Sequence, residues 1–140
     1  ISNTELLTCD CDVLVPAALE NQINAEVAEQ LRCRYIVEGA NGPTTVEADA
    51  ILEQRGIVLV PDIFANSGGV IVSYFEWVQN IQELTWEREQ VNEMLEKLMT
   101  KAFAALYETT QEKHCTLRMG AYVVALQRLI DAEVIKGLFP

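Results

Sequence analysis

Two asparagines stand where a ligand could reach them. Asn41 belongs to the run Glu38-Gly39-Ala40-Asn41-Gly42-Pro43-Thr44-Thr45, and Asn66 to Asp62-Ile63-Phe64-Ala65-Asn66-Ser67-Gly68-Gly69-Val70. Each run follows an apolar stretch rich in β-branched residues and leads into a helical pattern. In an open α/β sheet, ligands bind beyond the carboxyl ends of the parallel strands, so both asparagines are expected on one ligand-facing edge. An Asn amide donates and accepts hydrogen bonds, which suits a carboxamide or a ribose hydroxyl. Asn also satisfies the backbone of ordinary turns, and the residues by themselves leave the two readings equal. A third junction, Val13-Leu14-Val15-Pro16-Ala17-Ala18-Leu19, puts the small Ala17 and Ala18 after a strand. Small side chains admit a ligand close to the backbone, or equally a helix close to the sheet. Asn21 could reach the same edge, and a cis bond before Pro16 could shape the turn, although cis is uncommon even before proline.

Ser73 shares a helix face with Val70 and Trp77. On such a face a serine ordinarily bonds back to the carbonyl four residues earlier. Glu38, Asp62 and Glu76 could supply a general-acid pair, but acid–base work needs a partner geometry that spacing cannot show. His114, between Lys113 and Cys115, reads as a cation at a helix carboxyl end. Cys9 and Cys11 are one residue apart, too close for a redox or zinc pair, and with one His in the chain no metal site is expected. Reduced thiols and a cytoplasmic location are the expectation for Cys9, Cys11, Cys33 and Cys115.

The elements that must position these residues can be read from hydrophobic periodicity. Val13–Val15, Tyr35–Val37 and Ile57–Val60 read as strands of a parallel sheet covered on both faces. Asn24 can cap a helix to about Leu31. Thr44 and Glu47 have the spacing of a capping box, opening a helix with Ala48, Ile51 and Leu52 on one face and Gly56 as its terminator. The unit from Tyr35 to Val60 is then a βαβ crossover. The rest is helical: Val70–Asn80, a segment capped by Thr85 and running to about Lys113, and one capped by Thr116 and ending near Gly137. The second carries Val91, Met94, Leu95, Leu98, Ala102, Ala105 and Leu106 in one stripe. The third carries Met119, Tyr122, Val123, Leu126, Leu129, Ile130 and Val134. Both stripes are expected to be core.

The chain has 140 residues, 50% of them hydrophobic, enough for one domain with a sizeable core. A net charge of -11, from 10 Lys+Arg against 21 Asp+Glu, argues against a nucleic-acid partner, whose phosphates require basic patches. No run is apolar enough to span a membrane, and no signal-peptide pattern precedes the first strand. A G-x-G-x-x-G turn is missing, so the phosphate-binding element of a dinucleotide fold is not encoded here. We therefore expect an α/β fold, about three parallel strands over residues 1–80 followed by helical residues 81–140: either a small domain of its own kind or the second half of a Rossmann-like nucleotide-binding domain.

Three stretches carry a family resemblance. Cys11-Asp12-Val13-Leu14-Val15-Pro16-Ala17-Ala18-Leu19-Glu20-Asn21-Gln22-Ile23 resembles the glutamate/leucine/phenylalanine/valine dehydrogenases, as does Val37-Glu38-Gly39-Ala40-Asn41-Gly42-Pro43-Thr44-Thr45. Pro61-Asp62 through Asn66-Ser67-Gly68-Gly69-Val70, with Ser73-Tyr74-Phe75-Glu76-Trp77-Val78-Gln79-Asn80, is similar to the glutamate-specific members. What the chain resembles is the C-terminal third of such an enzyme. The resemblance implies NAD or NADP bound beside Ala17, Ala18, Asn41 and Asn66. It implies glutamate or 2-oxoglutarate beside Val70 and Ser73, with Ser73 donating to the side-chain carboxylate where relatives for aliphatic substrates carry an apolar residue. No catalytic residue is implied in this stretch, so the chain alone is expected to be inactive. No metal, nucleic acid or membrane is implied, and a homo-oligomer is. The alternatives are a leucine- or phenylalanine-type dehydrogenase and a non-catalytic interaction module of the same fold.

Overall fold

The first turns of the helices show how local chemistry sets the frame. The structure, a computed structural model, describes residues 1–137. Helix α1 (Asn3–Leu7), which the hydrophobic pattern did not reveal, is opened by a reciprocal box in which Ser2 Oγ accepts from Glu5 N and Glu5 accepts from Ser2 N. Asn24 caps α2 (Ala25–Gln30), accepting from Val27 N at 3.0 Å. Helix α3 (Val46–Gln54) begins one residue later than its spacing predicts. Thr45, not Thr44, accepts from Ala48 N. Thr44 is instead held extended by a parallel bridge to Ile23, and its buried Oγ1 has no partner among the described residues.

Strands β1 (Val13–Leu14), β2 (Tyr35–Val37) and β3 (Val58–Val60) form a parallel sheet in the order β1-β2-β3. The register aligns Leu14, Ile36 and Leu59 on one face, where they meet Ile23, Val27, Ala28, Leu31, Cys33, Ala48 and Leu52 from α2, α3 and the loops between. Arg55 donates to the carbonyls of Ala28 and Leu31 and so ties the end of α3 to α2. The other face corrects the expectation of a sheet covered on both sides. Val13, Tyr35 and Val58 are 49%, 42% and 43% exposed while Val37 and Val60 are half-buried, so among the described residues this face is only partly covered. The strands carry apolar residues on both faces, the leucines and Ile36 on the face against α2 and α3 and mostly valines on the other.

After β3 come α4 (Asp62–Ala65), α5 (Ser67–Gln82), α6 (Arg88–Lys113) and α7 (Leu117–Lys136). Thr85 does not cap α6. Gln79 bonds Trp86 N through its side chain and Leu84 N through its carbonyl, fixing the turn, and the cap falls on Glu87, boxed with Gln90. Thr116 caps α7 as expected, accepting from Met119 N. The α6 stripe is half-buried or buried except Leu98. The α7 stripe overturns its expectation: Met119, Tyr122, Leu126, Leu129, Ile130 and Val134 are exposed. The face α7 buries is the small one, with Gly120 and Ala121 against Leu106 of α6. A Cβ on Gly120 would sit 2.5 Å from Thr110 Oγ1. Close approach selects the small residues and turns the large ones outward. Among the described residues, no helix is long and apolar enough to cross a membrane.

Candidate functional site

The carboxyl ends of the three strands lead into loops that touch one another. Pro16, past β1, accepts at its carbonyl from Gly39 N (3.0 Å) and Ala40 N (2.8 Å), past β2. A side chain on Gly39 would meet the Cβ of Ala17 at 3.1 Å. The small size of Ala17 thus serves loop-on-loop packing, and both Ala17 and Ala18 are exposed. The bond before Pro16 is trans. Asn21 turns the chain in the left-handed region (φ 55°) and its N–H donates to Gly42 O, a local turn role.

The structure brings the two asparagines together. Asn66, at the hinge between α4 and α5, donates from Nδ2 to Asn41 Oδ1 at 2.7 Å and leans toward Gly39 O at 3.4 Å. This pairing leaves the Asn66 Oδ1 acceptor and the Asn41 Nδ2 donor without a side-chain bond among the described residues, with Asn41 exposed and Asn66 half-buried at the strand ends. One acceptor beside one donor matches the complementary pair on a primary carboxamide.

Beneath this edge lies an ion cluster that the sequence reading missed. Glu38 is fully buried. Its Oε1 accepts from Arg118 Nη2 at 2.7 Å and its Oε2 from Asp62 N at 2.8 Å. Asp62 accepts from Gly42 N (2.7 Å) and Ile63 N (2.8 Å), and lies 3.6 Å from Arg118 Nη1. Arg118 Nε donates to Asp49 Oδ2 at 2.7 Å. Burial works against the charge on Arg118, but the bonds and charges of Glu38 and Asp49 outweigh it and hold the guanidinium above its ordinary range. Glu38 and Asp62 are thus fully engaged in holding backbone and guanidinium, and Glu76 is exposed elsewhere on α5. The general-acid pair is not assembled. The one signal available in the sequence was a lone Arg in the otherwise apolar start of α7, whose partners are far along the chain.

Val70 and Ser73 lie on α5, which starts directly after Asn66. Six residues of helix place Ser73 about 9 Å along the axis from Ser67. The bonds that α5 side chains make to carbonyls are those of Ser67 to Phe64 O and Gln79 to Phe75 O. Ser73 is exposed, as are Val70 (75%) and Trp77 (57%). The expected back-bond is not made, and the hydroxyl points to a face that nothing among the described residues covers. His114 ends α6 in the left-handed region (φ 50°). Cys33 sits in the core, where burial raises its thiol pKa, while Cys9 is exposed. No group of three or more metal-ligating residues occurs among the described residues.

Residues 1–137 match the family described as Glutamate/Leucine/Phenylalanine/Valine dehydrogenase. The chain belongs to this family. It is 50% identical over 137 residues to a cryptic catabolic NAD-specific glutamate dehydrogenase of Bacillus subtilis, covering 98% of the chain and 32% of that protein. It is 50% identical over 140 residues to the glutamate dehydrogenase of Thermotoga maritima, covering 100% of the chain and 34% of that protein. A solved structure of the hetero-hexameric glutamate dehydrogenase of Thermus thermophilus superposes with a TM-score of 0.95 at 34% identity, over 100% of the chain and 34% of that protein. The chain therefore spans about a third of the length of its relatives, and its three parallel strands with following helices are the dehydrogenase architecture the sequence implied.

Proposed function

We propose that the chain is the C-terminal part of an NAD-dependent glutamate dehydrogenase. The observation that carries this reading is the Asn41–Asn66 amide pair at the strand ends, Asn41 exposed and Asn66 half-buried, with the Asn41 Nδ2 donor and Asn66 Oδ1 acceptor not bonded to each other. These groups fit the carboxamide of a nicotinamide, and the tightly stitched Ala17–Gly39 turn beside them gives its ribose a flat wall. Asn41 and Asn66 orient the ring, and Ala17 and Ala18 pass close to the sugar. Ser73 and Val70, further along the uncovered face, meet the substrate. Ser73 donates to the side-chain carboxylate of glutamate, and Val70 packs on its methylenes. The coenzyme, when bound, accepts the hydride in the oxidative deamination of L-glutamate to 2-oxoglutarate and ammonia. This chain supplies binding and orientation, and the groups that move protons lie outside it. The names of the relatives support NAD over NADP and glutamate over other amino acids. We place the enzyme in the cytoplasm as a homo-oligomer, assembled through apolar faces such as that of α7.

The experiment is steady-state kinetics on the full-length enzyme. Glutamate-dependent reduction of NAD is expected. Asn66→Ala removes about one to two hydrogen bonds, each worth about 0.5–1.5 kcal/mol. The KM for NAD should therefore rise several-fold to roughly tenfold while that for glutamate stays near its original value. Reduction that is faster with leucine or phenylalanine than with glutamate, or kinetics indifferent to Asn66, would overturn the reading.

A further inference from the structure

We infer that Arg118 is a positioning residue for the Asn41–Asn66 pair: its guanidinium clamps Glu38, Asp49 and Asp62 and thereby sets the two strand-end loops that present those amides. The inference rests on the reading that the pair meets the nicotinamide.

Each link is short. Glu38 directly follows β2 and stands at the start of the loop that carries Asn41. One of its oxygens is taken by Arg118, and the other by Asp62 N, at the start of the segment that ends in Asn66. Asp62 in turn accepts from Gly42 N, the residue after Asn41, and faces Arg118 Nη1. The β2 loop and the β3 loop are thus joined twice through carboxylates, and both carboxylates lie against one guanidinium. The third arm, to Asp49, anchors the same group to α3. A planar fork spreads its donors over three nitrogens in fixed directions and so spans three separated acceptors, a geometry the compact ammonium of a lysine does not reproduce.

Two features argue that geometry, rather than stability, is the use of this cluster. Buried ion pairs add little net stability after desolvation, and Glu38 is 0% exposed with the Arg118 side chain at 18%. Arg118 is also the second residue of α7, at the positive end of the helix dipole, where a cation is disfavoured. A cation placed there against both costs is one whose directional bonds matter. Among the described residues Arg118 bonds Glu38, Asp49 and Asp62 and neither asparagine, so its effect on the pair runs through the loops.

The test uses the full-length enzyme with Arg118→Lys and Arg118→Met, beside Asn66→Ala as reference. Misplacement of a reacting group by about 1 Å can cost about a hundredfold. Arg118→Met is therefore expected to lower kcat/KM for NAD by ten- to a hundredfold, with kcat sharing the loss. Arg118→Lys keeps the charge without the fork and should recover only part of it. Crystal structures of the variants should show the 2.7 Å Asn66–Asn41 bond lengthened or lost. If Arg118→Met does not fold, Arg118→Lys and Asp49→Asn carry the test, each with a smaller loss in the same parameter. A merely structural Arg118 would lower the melting temperature yet leave coenzyme kinetics and the amide pair unchanged well below it, and that result overturns the inference. Should Asn66→Ala leave coenzyme kinetics untouched, the functional reading fails, and the variant crystal structures alone decide whether Arg118 positions the pair.

Discussion

The strand-end edge and the α5–α7 faces are built on opposite plans. At the edge, a bond from Asn66 to Asn41, two N–H groups on the Pro16 carbonyl and a triply held guanidinium fix every loop from within the chain. On α5 and α7, Val70, Ser73, Trp77, Leu126 and Ile130 are presented to open space. A surface determined by its own chain can meet a ligand as it stands. A helix face with exposed large apolar residues is one half of a surface whose other half comes from elsewhere. On the proposed reading, the coenzyme side is thus the finished region and the substrate side the open one.

The largest expected effect follows from that contrast. The 140-residue chain alone should give no glutamate-dependent formation of reduced coenzyme, because the proposed substrate-contacting residues Val70 and Ser73 lie on an open helix face. Turnover that follows the purified chain through each step and disappears with an Asn66 substitution would erase the distinction between the two regions. Next comes stability: Leu52→Ala, in the packed face under the sheet, should cost about 2–5 kcal/mol in chemical denaturation. A loss well under 1 kcal/mol would mean that this core is loosely packed.

Specificity sharpens the comparison at the open side. In the full-length enzyme, Ser73→Val removes one hydrogen bond to a charged group, about 1.5–3 kcal/mol, or roughly ten- to a hundredfold in kcat/KM for glutamate. The ratio of norvaline to glutamate turnover should rise with it, short of a full switch. An unchanged ratio would assign Ser73 to the helix alone. The smallest effect is expected for Leu126→Ser in the isolated chain. At 56% exposure it should change stability by no more than about 0.5 kcal/mol, and the same substitution in the full-length enzyme should cost distinctly more if that face is covered there.

What the sequence made legible depended on how local the cause was. β2 matched its reading, and β1 and β3 did so within a residue, because β-branched runs bounded by turns are local signals. Asn24 and Thr116 cap as expected for the same reason. Thr44 and Thr85 failed as caps because remote partners intervened: the bridge to Ile23 in one case and Gln79 in the other. The α7 stripe showed which residues were apolar but not which side another helix would take, and Gly120 decided that by close approach. The loops carrying Asn41 and Asn66 were placed on one edge by the strand-end rule. Their direct bond was not foreseeable, nor was Arg118, whose three acidic partners are scattered over the first half of the chain.

On the proposed reading, Asn41 and Asn66 act as one unit on the nicotinamide. A double-mutant cycle in the full-length enzyme, read as kcat/KM for NAD, tests it directly. Asn41→Ala, Asn66→Ala and the double variant should all lose activity by similar factors, with a coupling of more than about 0.5 kcal/mol between the two sites. Losses that simply multiply, or single variants with unaltered coenzyme kinetics, would contradict the account.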